Sequence, residues 1–366
     1  MSELVKLSPK QVRVDGLVTP FVKHKWSNAL AQRLDRMDGR TGQPQFRQDV
    51  AESAYTQRAL VHLEKFVYTT LTPPLKARTF IPTDVKVNPG AEEYNWRRVT
   101  RTGIAQLITG PGQDLPRAAM YQDEIPQRLY SLGVEVVYDY FELLAVGMAL
   151  ENNQPIDIVA ESVRGAMEAI EKRLDYIAAF GTATVSNFIS YEDVDVGMTG
   201  LLNNPNTSVY TLATGASGST QWSTKTPDEI LYDLNGIVGN QVATTYEVHQ
   251  PDTIIVPIIQ WEQQLTRRMS DVSDTTIIQF FLRSRAESGT PIKLEKWMYN
   301  SGVGAGGTDV MIAYKRDPRM LEHVLAMDAS PLPTYTQGMT TTQQFVAKTA
   351  GLILRYPLSS SIAAGI

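Results

Sequence analysis

The sequence predicts an α+β protein in which some segments rest on a partner instead of on their own core. Three observations carry that prediction. Ile156, Val159, Val163, Met167, Ile170, Leu174 and Ile177 recur at spacings of three and four, the stripe of one long amphipathic helix. Strand-like runs occur early, at Val134–Asp139, and again within the last forty residues, at Gln344–Thr349 and Gly351–Tyr356, so distant parts of the chain feed a sheet. Two further stretches, the loosely organised first 75 residues and an excursion around residue 110 that is polar on both faces, do not read as self-sufficient.

Composition narrows the classes. The chain has 366 residues, 43% hydrophobic and 20% charged, which suits a core-forming globular protein. A net charge of −5 gives no strong field for nucleic acid or a membrane surface. The first 60 residues hold ten Lys/Arg against six Asp/Glu, a mildly basic but mixed segment expected to be solvated. With no cysteine, disulfides, thiolate nucleophiles and Cys-ligated zinc are excluded. The start, Met1-Ser2-Glu3-Leu4-Val5-Lys6, has no secretory pattern, and no run approaches the roughly 18 apolar residues of a membrane span. A soluble, cytoplasmic setting is expected.

In chain order, residues 1–75 predict a loose arm with helical patches at Ser27–Met37 and Ala51–Tyr68, closed by Leu71-Thr72-Pro73-Pro74. Residues 94–108 are β-prone but polar on both faces, and Thr109–Pro116 supplies turn chemistry, with an irregular stretch before Val134. Such an excursion cannot offset its own ordering entropy without a neighbour to lie on. The long helix is predicted over 155–180, with Pro155 in its first turn, a Glu168–Lys172 pair on its outer face and Gly181 ending it. At 1.5 Å per residue it is a rod of about 38 Å. Thr226-Pro227-Asp228-Glu229 is a capping box opening a second helix, which Gly239-Asn240 is expected to stop. Pro251–Pro257 reads as a buried strand, followed by helical patches Ile258–Met269 and Thr275–Ala286.

The chemistry-bearing motifs are sparse. Gly302, Gly304 and Gly307 in "YNSGVGAGGT" match G-x-G-x-x-G, which cradles a dinucleotide only between a buried strand and a helix N-terminus. Ile292–Tyr299 before it alternates, and Asp309–Tyr314 after it is short and β-branched. The expectation is therefore a hairpin with a flexible glycine tip. His24, His62, His249 and His323 are dispersed without metal-ligand spacing. Glu92-Glu93, Asp123-Glu124, Asp193 and Asp195 have nothing nearby in sequence to make them an acid–base pair, and Glu192, Asp193 and Asp195 lack the calcium-loop spacing. No catalytic residue, cofactor site or metal site is expected, and the chain reads as a non-enzyme.

The order of elements resembles the major capsid proteins of tailed phages, the Hong Kong 97-like fold. "YSLGVEVVYDYFELLAVGMA" (130–149) is similar to the strand leading out of that family's extended loop, "IDIVAESVRGAMEAIEKRLDYIAAFG" (156–181) to its spine helix, and "GMTGLLNNPN" (197–206) to the turn that follows. "TKTPDEILYDLNGIV" and "PDTIIVPIIQWEQQL" resemble the elements entering its apical domain. The resemblance covers roughly residues 75–366 and implies five segments. These are an N-terminal arm over 1–75, an extended loop with flanking strands over 76–135, and a peripheral domain with the spine helix over 136–241. An apical domain follows over 242–330, then return strands to the peripheral domain over 331–366. It implies a virion shell protein, assembled in the host cytoplasm as pentamers and hexamers around packaged DNA that it touches weakly at most. Portal, scaffolding or decoration proteins are implied as further partners. Gly110, Pro111, Gly112, Gln113 and Asp114 at the loop tip, and Gly302, Gly304 and Gly307, become candidate contacts with neighbouring subunits. No Lys–Asn isopeptide cross-link and no cleaved N-terminal scaffold region are expected. An encapsulin-like compartment and a nucleotide-dependent enzyme using Gly302–Gly307 are the alternatives.

Overall fold

The computed structural model describes residues 11–14, 17–20, 71–107, 115–151, 158–185, 187, 188, 191 and 195–366. Residues 1–65 and 66–366 are separate units. In the first, β1 (Gln11–Val14) and β2 (Leu17–Pro20) pair antiparallel, with Val14 opposite Leu17. No strand is expected in the arm from its helical patches, although Asp15-Gly16 between the two strands is a strong hairpin signal. The helical patches expected at 27–37 and 51–68 lie outside the described residues.

The second unit opens with the single turn α1 (Ala77–Phe80) and the short β3 (Thr83–Asp84). A two-stranded ribbon follows, β4 (Glu93–Thr102) against β5 (Ala119–Arg128), in register from Glu93–Arg128 to Thr102–Ala119. Patterning read β5 as irregular; it is a strand because β4 pairs with it, and with both faces exposed neither shows an alternating signal. β6 (Tyr130–Asp139) leads into α2 (Tyr140–Glu151), then α3 (Ile158–Phe180), the long helix, about 35 Å of rod. Its Glu168–Lys172 pair closes at 3.0 Å. Ala166, Ile170 and Leu174 rest on Leu325, Phe345 and Ala347 of the sheet below.

That sheet has the order β12 (Tyr335–Gln337), β13 (Thr340–Leu354), β11 (Leu321–Pro331), β3, with β6 also paired to β13. β13 joins the two late strands expected from sequence into one. Val324 opposes Gly351 while Leu325 opposes Thr349, so Ala350 is extra, and Gly351 takes the left-handed φ of 76° that such a bulge uses. Alternation alone reads that bulge as a break.

The second sheet runs β7 (Ser208–Val209), β14 (Ser360–Ala364), β10 (Val310–Tyr314), β8 (Thr253–Val256), β9 (Lys293–Lys296). Helices α4 (Pro227–Thr244), α5 (Ile258–Thr266) and α6 (Ile277–Glu287) complete that half. Thr226 and Glu229 form the expected capping box on α4. The helix passes through Gly239-Asn240 to Thr244, because Val238 and Gln241 beyond the middle are buried and Gln241 donates to the Ser359 carbonyl. Burial overrides the weak stop signal.

One expectation is corrected here. The strands around the glycine loop are not a hairpin: β9 lies parallel to β8 on one side and β10 antiparallel to it on the other. β8 is buried along its whole length, so both strands compete for its edges and not for each other. Cores and sheets also draw on residues from both sides of 242 and 330. α4 and β14 share one core with β8, through Leu234, Ile237, Ile254 and Ala363, whereas β11 begins at Leu321 and belongs to the first sheet.

A third core joins the two sheets, built on Phe180, Trp297, Tyr299 and Tyr314. It forms where the backbone after α3 folds back on the helix end. Leu201 N–H donates to Ala178 O and Leu202 N–H to Ala179 O, both at 2.9 Å, and Asn203 Nδ2 donates to Phe180 O at 2.7 Å. The last carbonyls of the helix are thereby satisfied. A Cβ on Gly200 would lie 2.3 Å from Ala179 backbone atoms, and one on Gly181 2.0 Å from Met198 O. Gly200→Ala is expected to lower unfolding free energy by ~3 kcal/mol or more in urea titrations. Gly197→Ala, where φ is 75° but no atom lies within 4 Å, should cost about 1 kcal/mol.

Candidate intersubunit surfaces

Among the described residues, side chains with catalytic potential do not converge. Among the described residues no group of three His, Cys, Asp or Glu could hold a metal ion. Asp123 and Glu124 face Arg98 and Arg97 across the ribbon at 2.9 and 3.5 Å, solvated ion pairs that stabilise it by at most about 1 kcal/mol. Asp195 Oδ1 accepts from Thr182 Oγ1 at 2.6 Å and from Gly197 N–H at 2.9 Å, which hold its carboxyl below the usual range. Glu192 and Asp193 lie outside the described residues, as do His24 and His62.

The glycine loop is organised by its own chain. Gly302 N–H donates to Asp309 Oδ1 at 2.8 Å, Gly302 O accepts from Asn187 Nδ2 at 2.6 Å, and Gly304 N–H donates to Thr308 O at 2.7 Å. Gly302 and Gly304 are half-buried; only residues 305–307, one 3-10 turn, are exposed, and Gly307 takes a φ of 76°. The next element is β10, so no helix N-terminus faces the glycines and the pyrophosphate geometry is missing. The other candidates, Gly110, Pro111, Gly112, Gln113 and Asp114, lie outside the described residues.

A cavity of about 350 Å³ separates α3 from β6, lined largely by apolar groups including Leu132, Ile170 and Met198. Arg173 is buried at its side, its guanidinium 3.9 Å from the Tyr191 ring centroid and 5.3 Å from that of Tyr176. Stacking on two rings suits a desolvated guanidinium and ties α3 to the segment after it.

What the molecule offers outward is apolar surface. The ribbon stands on a small base, where Tyr94 and Trp96 pack on Leu129 and Val324 and Arg355 donates to Tyr94 Oη at 2.9 Å. Beyond that base it is exposed on both faces. α2 turns Phe141, Leu144 and Met148 to solvent. After α4, Tyr246 and Glu247 hold left-handed φ values of 51° and 66°, leaving Tyr246 90% exposed. Two consecutive side chains in that region store strain, and Glu247 N–H donating to Val242 O keeps the turn closed. Sequence reasoning missed both surfaces. The run "YFELLAVGMA", with one charge in ten residues, was the available signal for the first; nothing in the sequence marks the turn at Tyr246.

Two buried titratable groups sit beneath the strap at 76–82. Asp175 accepts from Ala77 N–H at 2.6 Å, and burial, offset in part by that bond, pushes its carboxyl up to about 6. His323 is fully buried, and desolvation pushes its imidazole down to about 4. Arg78 closes the strap over them by donating to Glu171 at 2.7 Å and Asp328 at 2.6 Å.

A family model described as "Major capsid protein" matches residues 103–366, well over half of the chain. Among curated protein sequences none is significantly similar. Solved structures share the fold. The capsid of Myoviridae phage XM1 superposes with a TM-score of 0.70 at 13% identity, over 85% of this chain and 99% of that one. A chain of Mycobacterium phage Ogopogo gives 0.55 at 10% identity, over 83% and 96%. The mature capsid of bacteriophage PhiM1 gives 0.51 at 13% identity, over 88% and 98%.

Two expectations follow for stability. The folded state binds a proton at Asp175 more tightly than the unfolded chain does, so this group adds stability as pH falls through about 6 toward its ordinary 3.8. His323 acts oppositely: its contribution is full above the ordinary 6.5 and is lost as pH falls toward 4. In urea titrations between pH 8 and 4, Asp175→Asn should steepen the loss in acid and His323→Gln should flatten it; the same pH slope in all three proteins contradicts both assignments. Glu247→Gly should raise stability by about 1 kcal/mol by relieving the left-handed strain.

Proposed function

The chain belongs to the major capsid protein family, and we propose that it forms the icosahedral head of a tailed phage around the packaged DNA genome. It is a structural protein of a capsid shell, and copies of itself are its partners in capsomers. The finer reading is that these capsomers are pentamers and hexamers assembled in the host cytoplasm. Residues 1–75 then act as an arm, 76–135 as the extended loop, 136–241 with 331–366 as a peripheral domain, and 242–330 as an apical domain, subject to the shared cores described above. Gly110–Asp114 and the exposed turn beside Gly307 touch neighbouring subunits in this reading. Portal, scaffolding and decoration proteins are further partners in this reading, and the shell has no catalytic role of its own.

The observation that carries the reading is the ribbon. Beyond its base the ribbon of two ten-residue strands is exposed on both faces, and an isolated hairpin of this kind is at best marginally stable in water. A closed array of identical subunits supplies the missing contacts, each modest and all engaged together. Net charge fits as well, since a container at −5 does not hold DNA tightly.

The full chain, expressed and concentrated under assembly conditions, should give closed shells in negative-stain micrographs. A species that stays monomeric in light scattering across salt and concentration would overturn the proposal. Particles from infected cells that carry a protein cargo and no genome would favour the compartment alternative.

A further inference from the structure

We infer that the Tyr246 ring of one subunit seats in the cavity between α3 and β6 of a second copy, a knob-and-hole contact that each subunit both offers and receives. The inference rests on the capsid reading and names one contact within it.

The knob is built at a cost. Tyr246 is 90% exposed, more than any other aromatic side chain among the described residues. It and Glu247 both hold left-handed φ values, which for residues other than glycine costs roughly 1–2 kcal/mol each. Glu247 N–H donating to Val242 O at 2.9 Å and Val248 N–H donating to Thr245 O at 3.1 Å fix the turn in that shape. The ring gains almost no burial within its own chain in return, and Val248 beside it is 72% exposed. A rigid, pre-shaped aromatic tip loses little entropy on docking, which suits the anchor of an interface.

The hole has matching size and chemistry. At about 350 Å³ the cavity lies at the lower end of the range for small-molecule pockets, with room for one ring and its hydroxyl. Leu132, Ile170 and Met198 provide apolar walls, and Arg173 and Thr182 add a polar edge. Thr182 Oγ1 donates to Asp195 and keeps a lone pair for a phenol proton. A guanidinium in the wall favours an electron-rich ring. The lining therefore suits an amphipathic ring better than an aliphatic chain. Ala169, also in the lining, is exposed, so the cavity opens to solvent on that side. Because Tyr246 is almost wholly solvated, it does not fill the cavity of its own chain. Knob and hole are different patches of one surface, the heterologous arrangement from which rings of identical subunits are made.

The test replaces Tyr246 with photo-reactive p-benzoylphenylalanine in the full-length protein and dopes it sparingly into isotope-labelled wild-type subunits during shell assembly. Mass spectrometry should find it joined to labelled peptides holding residues 130–134 or 169–177. Cross-links only to other peptides, or only within the unlabelled chain, overturn the inference. Tyr246→Ala should cut shell yield roughly tenfold or more without moving the Tm of the unassembled subunit, because the ring is exposed. Ala169→Trp, which plugs the mouth from an exposed position, should cut it as well. The double variant should then be no worse than the poorer single variant, since both remove one contact. Normal yield from Tyr246→Ala, or losses that add in the double variant, overturn the inference. Failure of wild type to form shells counts against the capsid reading, whatever the variants do.

Discussion

The structure depends on one backbone-to-backbone contact, the turn at Met198–Asn203 closing over the last carbonyls of α3. The helix end has to stop in a dry place between two sheets, where unpaired carbonyls would each cost about 1–3 kcal/mol. Leu201, Leu202 and Asn203 satisfy them, and Gly181 and Gly200 make the approach possible because neither carries a Cβ. Once the turn is seated, Phe180 meets Tyr299 at 5.5 Å, and Tyr299 meets Trp297 at 5.3 Å. Phe80 of the strap then closes on Trp297 from the other side. The orientation of one sheet against the other follows from this cluster.

Much of that was legible in the sequence, and the reasons are specific. The stripe from Val159 to Ile177 is long and its period unambiguous, so α3 could be placed within a few residues. The capping box at Thr226 was readable because three residues in fixed order do one physical job. The family resemblance was carried by the same elements. What was not legible depends on partners distant in sequence. β5 is a strand only because β4 lies beside it; β9 and β10 part company because β8 is a better neighbour for both; and the bulge at Ala350-Gly351 exists only in relation to β11. The exposed stripe on α2 was hidden for a different reason: a run such as Phe141–Met148 reads equally well as core until a structure shows which way it faces.

The surface tells a consistent physical story. A subunit that exposes a ribbon on both faces, an apolar helix and a strained aromatic turn is less stable alone than it need be. Evolution tolerates such costs where the contacts are completed elsewhere. The buried groups at Asp175 and His323 respond to acid in opposite senses, so the junction between strap and long helix keeps a flatter pH response than either group alone would give it.

The segment from β13 through β14 places an interior strand in each of the two sheets. Neither sheet can close while those residues are still inside the ribosome, so a nascent polypeptide released early is left with two open halves. Such a fragment lacks the joined body that positions ribbon, helix and turn relative to one another.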